Sequence, residues 1–239
     1  MTQADQSKES AVTHVQTIEP LGQRNVGEIA ANMAGATGVF RRFGIDFCCH
    51  GDVPLDEAAQ ARGIEIELLH GALLELDGTA DASAIPDGTA ELTDHIVARY
   101  HEVHRRQVPE LIMLSRRVEQ VHAGKPGVPA GLADVLQHAL GELEVHMRKE
   151  ELILFPAMRR QGAGPLDGPI AQMREDHVDH GALLERMAEL TGDFTVPEGG
   201  CGTWRALYAG AMQFRDDLIE HIHIENNILF PRFESRAAS

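Results

Sequence analysis

Two segments of the chain repeat a histidine and a glutamate at a spacing of four residues. The segment HMRKEELILFP spans residues 146–156, and HIHIENNILFP spans residues 221–231, 75 positions later. Residues four apart lie on one face of an α-helix, one turn from each other. An imidazole and a carboxylate on one face supply half of a metal site, so two facing copies would supply a whole one. The repeat therefore predicts a metal site that includes His146, Glu150, His221 and Glu225.

The repeat extends to the helix that precedes each segment. His101 lies 45 residues before His146, and His177 lies 44 residues before His221. Each half of the repeat is therefore a helix with an early histidine, a loop, and a helix that ends in the His-x3-Glu segment. A duplicated helical hairpin places equivalent groups around a pseudo-twofold centre, so His101 and His177 are predicted to join the metal site.

Four further positions of the repeat adjoin the predicted ligands. The sequences RYHEVH and EDHVDH share a His-x2-His pattern, which makes His104 and His180 candidates for support of the ligands, with His180 also an alternative ligand. Glu151 occupies the same position in the repeat as Asn226. Because asparagine at this position is not a typical ligand, Glu151 is predicted to face solvent.

The ligand set indicates which metals would bind. Mixed nitrogen and oxygen ligation suits non-haem iron or manganese, whereas structural zinc sites prefer thiolates and four ligands. Either glutamate can bridge two ions, which leaves the histidines as terminal ligands. The alternative is a pair of exposed helix contacts of the i, i+4 kind. Duplication of the whole segment disfavours that alternative.

Four long amphipathic patterns position these residues. They span about residues 91–122, 130–160, 168–191 and 201–235, and short loops rich in Gly and Pro join them. Short loops favour antiparallel neighbours, so the sequence predicts an all-α fold with an up-down four-helix bundle over residues 91–235. His122 would lie about 32 Å from His101 along a straight helix, too far to join the same cluster.

Three segments precede the bundle. Residues 1–19 are polar and predict a flexible tail, residues 20–76 predict a small helical domain, and residues 77–90 predict a linker of turn-forming residues. The small domain carries Cys48 and Cys49 in a loop. They are either ordinary loop thiols or a redox or partner site. With Cys201, predicted to start a helix, they make an odd count that indicates no disulfide framework.

Composition excludes several classes of partner. The net charge of −16 argues against nucleic acid and anionic membranes, both of which attract basic surfaces. No apolar run approaches the roughly 20 residues that a membrane span needs. The first residues lack the apolar core of a secretory signal, so the expected compartment is the cytoplasm.

The chain resembles a known family at six motifs. They are DFCC at 46–49, DHIVARYHEVHR at 94–105, VEQVH at 118–122, HMRKEELILFP at 146–156, HVDHG at 177–181 and HIHIENNILFP at 221–231. Residues 91–235 resemble the hemerythrin-like superfamily. Residues 20–235 as a whole resemble the Repair of Iron Centres family, in which an N-terminal domain of the ScdA type precedes that bundle.

The resemblance implies a function and a ligand set. It implies an oxo-bridged non-haem di-iron protein that repairs iron–sulfur clusters after nitrosative or oxidative stress, by iron donation or nitric oxide reduction. Its implied partners are damaged iron–sulfur proteins, nitric oxide or oxygen, and a second copy of the chain. The family's metal positions match seven residues: His101, His122, His146, Glu150, His177, His221 and Glu225.

Two details of the resemblance bear on geometry. Inclusion of His122 requires a break in the first bundle helix, which we expect at Pro109. His180 and His223 are histidines that the family pattern does not require.

Two other functions remain open at this point. One is an oxygen or nitric oxide carrier or sensor of the simple hemerythrin kind, which the additional N-terminal domain disfavours. The other is a ferroxidase, which the histidine-rich ligand set and the lack of a Glu-x2-His pair disfavour.

Overall fold

The computed structural model describes residues 20–76, 85–160 and 166–235. The predicted tail, residues 1–19, and the first eight residues of the predicted linker, 77–84, lie outside these ranges. Within them the chain is helical, with a single isolated β-bridge between Asn25 and Pro54 and no longer strand. The prediction of an all-α fold is confirmed.

Four short helices form the N-terminal domain. After a 3-10 turn at Leu21–Gln23 come α1 (Val26–Asn32), α2 (Ala36–Phe43), α3 (Leu55–Ala61) and α4 (Ile66–Leu74). Gly44 ends α2 in the left-handed conformation at φ 67°, which glycine adopts without steric cost. The helices enclose an apolar core of their own, which includes Ile29, Phe40, Phe47, Leu55 and Leu69.

The bundle follows with four antiparallel helices, three of which contain a π-helical turn. The first bundle helix is α5 (Thr89–Ile96), a π turn (Val97–His101) and α6 (Glu102–Val121). The second is α7 (Leu132–Lys149), a π turn (Glu150–Leu154) and α8 (Phe155–Met158). The third is α9 (Asp167–Thr191). The fourth is α10 (Gly202–His223), a π turn (Ile224–Leu229) and a 3-10 turn (Phe230–Arg232).

The predicted break at Pro109 is wrong, because α6 runs through this residue without interruption. Proline removes the hydrogen bond to the carbonyl one turn earlier, that of Arg105. Pro109 faces solvent, so water can satisfy this carbonyl. Its neighbours Val108 and Leu111 are buried in the bundle core, and their packing stabilises the helix on the other face.

Two apolar clusters fill the bundle, one towards each end. One includes Leu136, Trp204, Tyr208 and Phe214, and the other includes Leu92, Phe155, Ile170 and Phe230. The six ligands predicted from the repeat lie between the two clusters along the bundle axis.

In the part of the chain that the structure describes, no helix is both long and apolar enough to cross a membrane.

Candidate metal centre

Six buried side chains converge between the two apolar clusters of the bundle. They form two groups of four whose ligand atoms all lie within 4.8 Å of one another: His101, Glu150, His221 and Glu225, and His146, Glu150, His177 and Glu225. Each of the six residues is at most 1% exposed. Both carboxylates belong to both groups. This arrangement suits two ions that share two bridging carboxylates, each ion held by two histidines.

The Nε2 atoms of the histidines point inward in pairs. Nε2 of His101 lies 3.2 Å from Nε2 of His221, and Nε2 of His146 lies 3.2 Å from Nε2 of His177. Glu225 reaches both pairs, with Oε1 at 2.9 Å from His221 Nε2 and Oε2 at 3.0 Å from His177 Nε2. The two oxygens of Glu225 are therefore directed at different histidine pairs.

The residues present fit a metal pair. Both oxygens of Glu150 are buried and have no hydrogen-bond partner within residues 20–76, 85–160 and 166–235. The nearest imidazole nitrogens, on His101 and His146, lie 3.3 and 3.4 Å away without hydrogen-bond alignment. A buried carboxylate without a partner is costly, and a cation between Glu150 and Glu225 would remove that cost.

The pKa values of the cluster reflect its burial and its facing charges. Burial and the facing carboxylate of Glu225 raise the pKa of Glu150 well above its ordinary value. Burial opposes ionisation of Glu225 as well, but His221 and His146 hold its pKa well below the ordinary value. Burial lowers the pKa of His101 to about 2, so this imidazole is neutral, the state in which histidine binds metals.

Outer partners orient three of the four histidines. Nδ1 of His101 donates to Glu151 Oε1 over 2.8 Å, and Nδ1 of His177 donates to Asn226 Oδ1 over 2.9 Å. Such bonds fix the tautomer and leave the Nε2 lone pair free for a metal. The expectation that Glu151 faces solvent is wrong, because its side chain is only 24% exposed and also binds Arg105. The shared position of Glu151 and Asn226 in the repeat was the signal for this role.

His146 and His221 are held in other ways. Nδ1 of His146 donates to Asp176 Oδ2 over 3.2 Å. Nδ1 of His221 has no hydrogen-bond partner in the part of the chain that the structure describes. Its ring instead stacks on Tyr100, with centroids 5.3 Å apart and planes 6° apart. Asp176 precedes His177 in the sequence yet serves the histidine of a neighbouring helix, so no sequence pattern indicated it.

Three π-helical turns coincide with the site. His101 ends the first of them, Glu150 begins the second, and Glu225 lies in the third. A π turn inserts one residue into an α-helix and changes which face the following side chains occupy, and such turns are frequent at functional sites. The turns at Glu150 and Glu225 occupy equivalent positions of the repeat.

The structure does not bring His122 to this cluster. His122 follows α6, at the far end of the bundle from His101, and its Nε2 lies 3.2 Å from Sγ of Cys201. Because α6 continues through Pro109, the straight-helix distance applies. The expectation from the resemblance is corrected on this point.

The additional histidines are buried but lie outside both groups of four. The ring of His180 lies 5.0 Å from that of His146, and the ring of His104 lies 5.6 Å from that of His221. Both therefore pack directly behind ligand candidates. His223 lies on the opposite face of its helix, where its ring meets the edge of Phe47 from the N-terminal domain at 5.2 Å.

The loop of Cys48 and Cys49 covers the bundle beside the cluster. Sγ of Cys49 lies 3.6 Å from the carbonyl oxygen of His177, and Asn226 donates from Nδ2 to the carbonyl of Cys48 over 2.8 Å. Asn226 thus joins this loop to the imidazole of His177. The neighbouring thiol of Cys49 and burial raise the pKa of Cys48 well above its ordinary value.

A surface pocket opens beside this loop. It has a volume of about 730 Å³, and its lining includes both cysteines of the loop, Arg41 and Arg215, and Gly181 of α9. The groove lies between the N-terminal domain and the bundle. Cys49 is partly exposed beside it, whereas Cys48 is buried.

Comparison with known proteins accounts for both domains. The hemerythrin HHE cation binding domain matches residues 92–233, and a domain of unknown function, DUF542, matches residues 22–77. A protein of Edwardsiella ictaluri named iron-sulfur cluster repair protein YtfE is 45% identical over 214 residues, which cover 87% of this chain and 96% of the relative. The proteins of the same name from Citrobacter koseri and Escherichia coli O8 are 42% and 41% identical, over 87% of this chain and 94% of each relative. On these matches the chain belongs to the hemerythrin HHE family and, within it, to the family of iron–sulfur cluster repair proteins.

Proposed function

We propose that this protein binds two iron ions between the four bundle helices and repairs damaged iron–sulfur clusters of other proteins. The observation that carries the proposal is the pair of ligand groups that share Glu150 and Glu225. The relatives named for cluster repair support the assignment of the task. Nitrosative or oxidative stress is the source of damage that the sequence resemblance implies.

The chain's own residues would hold the ions and keep them away from solvent. Four histidines would supply Nε2 ligands, two for each ion, and the two glutamates would offset the positive charge of the ions. Glu151, Asp176 and Asn226 keep three of the imidazoles in the tautomer that leaves Nε2 free. When bound, non-haem iron supplies redox activity and exchangeable coordination positions.

Two modes of repair fit this site. In the first, the protein donates iron to a damaged cluster. The Cys48–Cys49 loop contacts the backbone carbonyl of His177, and the groove beside it would receive a client protein or pass iron as cargo. We therefore propose the two cysteines as the redox or partner site. In the second mode, the buried site would admit nitric oxide, which is a small molecule. A bound iron pair in its reduced state would supply the two electrons that convert two molecules of nitric oxide and two protons to nitrous oxide and water.

The cysteines and the net charge bear on the compartment and on the partners of the protein. The three cysteines are free thiols, which fits the reducing cytoplasm as the compartment. The acidic surface, with a net charge of −16, favours clients with basic patches near their clusters. A homodimer is a further proposal, which rests on the family resemblance alone.

Iron content tests the metal centre. We expect about two iron ions per chain in an iron-loaded preparation, and a large loss in Glu225→Gln. Glu142→Gln serves as the matched control, because this glutamate of the same bundle is exposed. Fewer than one iron per chain in the wild type would contradict the centre.

Transfer and turnover test the activity. The reduced, loaded protein is mixed with an apo iron–sulfur protein and, separately, with nitric oxide. Cluster assembly with loss of iron from the protein supports donation, whereas nitrous oxide without assembly supports the reductase mode alone. Reversible oxygen binding with neither result would contradict repair and favour a carrier of the simple hemerythrin kind.

A further inference from the structure

A second group of reactive side chains lies far from the metal centre, where α6 ends and α10 begins. Nε2 of His122 and Sγ of Cys201 are 3.2 Å apart. His122 follows α6, and Cys201 is the residue before the first turn of α10. A nucleophile and a base within this distance form a dyad of the kind that activates thiols. About 32 Å of helix separate the dyad from His101, so its chemistry is independent of the metal pair.

The imidazole of the dyad is buried and committed to the thiol. His122 is 5% exposed, and its ring packs against Trp204 with centroids 4.9 Å apart. Its Nδ1 has no hydrogen-bond partner among the described residues. The thiol of Cys201 is therefore the polar group that this buried ring contacts. Trp204 holds the ring in place from the first turn of the same helix that carries the thiol.

The position of Cys201 favours its thiolate form. Cys201 is the N-cap residue of a helix of 22 residues, where free backbone N–H groups and the helix dipole stabilise negative charge. The hydrogen bond with His122 and backbone N–H groups of Trp204 and Thr203 lower the pKa of this thiol to about 7. The side chain is partly exposed, so a reagent can reach it.

The loop beside the metal centre gives Cys48 the opposite environment. Cys48 is buried, and the adjacent thiol of Cys49 at 3.6 Å raises its pKa well above the ordinary value. Both lie in the loop that covers the metal centre. Cys201 is therefore expected to react first with an electrophilic sulfur compound.

We propose that Cys201 and His122 form a thiol modification site that exchanges with small disulfides, such as glutathione disulfide. His122 accepts the proton of Cys201, and the thiolate attacks one sulfur of the disulfide. A new S–S bond forms between Cys201 and that half, and the original S–S bond breaks. The other half leaves as a thiolate and takes the proton back from His122. One thiol and one disulfide give one thiol and one mixed disulfide, with no further oxidant.

The size of the rate gain follows from two opposing effects. At pH 7 a thiol with a pKa of about 7 is half ionised, against about 1–3% for an ordinary thiol. Lower basicity also reduces the nucleophilicity of each thiolate, roughly five- to eightfold over this range. The net gain is about three- to sixfold for exchange with a disulfide whose leaving thiol needs no proton.

The test uses the metal-loaded full chain and two disulfides. One is 5,5′-dithiobis(2-nitrobenzoate), whose leaving thiol is acidic, and the other is glutathione disulfide, whose leaving thiol benefits from a proton. Peptide mapping assigns each modified cysteine. We expect Cys201 to react first and Cys201→Ser to remove the fast phase. Modification of Cys48 or Cys49 before Cys201 would overturn the proposal.

Substitution of His122 separates its two roles, which are to stabilise the thiolate of Cys201 and to return a proton to the leaving thiol. His122→Gln should slow exchange at Cys201 with the aromatic disulfide by up to about three- to sixfold, the upper bound because backbone N–H groups of the helix still stabilise the thiolate. Exchange with glutathione disulfide should slow further, because its leaving thiol also loses the proton donor. His138→Gln, at an exposed histidine of α7, is the matched control and should leave both rates unchanged. Equal rates in His122→Gln and the wild type would overturn the role of His122.

A measurement on the wild type covers a failure of His122→Gln to fold. The rate of modification of Cys201 should rise with pH through an inflection near 7. An inflection near 8.5 to 9, as in an ordinary thiol, would overturn the proposal. Iron content should be the same before and after modification, which distinguishes this site from the metal centre.

Discussion

Glu151 accepts a hydrogen bond of 2.8 Å from Nδ1 of His101, so a carboxylate supports this imidazole from behind. At the equivalent position of the repeat, the amide oxygen of Asn226 supports His177 over 2.9 Å. A carboxylate increases the basicity of an imidazole ligand more than a neutral amide does. The two halves of the centre are therefore alike in ligand types and unlike in electron donation.

Glu151→Gln should weaken metal binding in the half that contains His101. The loss of an outer carboxylate partner reduces metal affinity about 10- to 100-fold in comparable sites. Competition with a chelator should therefore remove one ion per chain more readily than the other. Mössbauer spectra of the loaded variant should show a change in one of two iron signals.

Arg105 provides the control for this prediction, because it contacts both Glu151 and Glu144. Glu144→Gln removes one ion pair of Arg105 and touches none of the metal-ligand histidines. It should retain both ions as the wild type does. An equal loss of affinity in the two variants would show that Glu151 acts through Arg105.

Glu150→Gln should have opposite effects on the stability of the metal-free protein and of the metal-loaded protein. In the metal-free protein, Glu150 faces Glu225 in a site without water access, and burial and the facing charge raise the pKa of Glu150. An amide at position 150 removes the repulsion between the two buried carboxylates. The metal-free variant should therefore be as stable as the wild type or more stable. With iron present, the variant loses a bridging ligand and should lose the stabilisation that bound metal contributes.

Chemical denaturation of both forms measures the difference. Without metal, the free energy of unfolding of the variant should equal or exceed that of the wild type. With metal bound, it should be lower than that of the wild type. Glu142→Gln, at an exposed position, should leave both unchanged. A variant less stable than the wild type in both forms would contradict the assignment of Glu150 as a bridge.

The six converging residues followed from the sequence because the repeat carries them. A spacing of four fixes His146 and Glu150 on one helix face, and the duplication identifies their partners. Asp176 was missed because its contact with His146 arises only when two helices pack. The resemblance implies that His122 is a metal ligand, but the rise of an uninterrupted α6 separates it from His101. Neither the spacing of apolar residues nor the repeat predicts the π turns.

Asp46 should stabilise the Cys48–Cys49 loop in a pH-dependent way. Its Oδ1 accepts the N–H groups of Cys48 and Cys49 over 3.2 and 3.0 Å, and its Oδ2 lies 2.6 Å from Nδ1 of His50. Burial opposes ionisation, but these hydrogen bonds lower the pKa of Asp46 below 3.8. The stabilisation is therefore present above pH 4 and is lost as the pH falls through the folded-state pKa.

Asp46→Asn tests this dependence. At pH 7 the variant should lose about 1 kcal/mol of unfolding free energy, because the loop hydrogen bonds to a charge become bonds to a neutral amide. The difference from the wild type should shrink as the pH falls below 4 and disappear below the folded-state pKa of Asp46. Asp52→Asn, at an exposed position two residues beyond His50, should show no such trend. A difference that is independent of pH would contradict a charged Asp46.

Gly51→Ala should loosen the contact between the N-terminal domain and the bundle. A Cβ atom at Gly51 would lie 2.5 Å from Oδ1 of Asn227 and 3.0 Å from the carbonyl of Phe47. Asn227 also donates to that carbonyl over 3.0 Å, so the added methyl group would clash with one of the hydrogen bonds that join the two domains. Overpacking of this kind costs about 1–3 kcal/mol. The domain should move outward and uncover Cys49.

Two measurements follow the movement. Cys49 should react faster with a thiol reagent in a Cys201→Ser background, and the iron content of the same samples should stay unchanged. Gly71→Ala is the matched control, because a Cβ there meets no atom within 4 Å and lies within α4. If both alanine variants label Cys49 at the wild-type rate, the close approach of Gly51 to Asn227 does not hold the loop over the metal centre. If Gly51→Ala alone speeds labelling without a loss of iron, the domain contact shields the thiols while the bundle alone retains the metal.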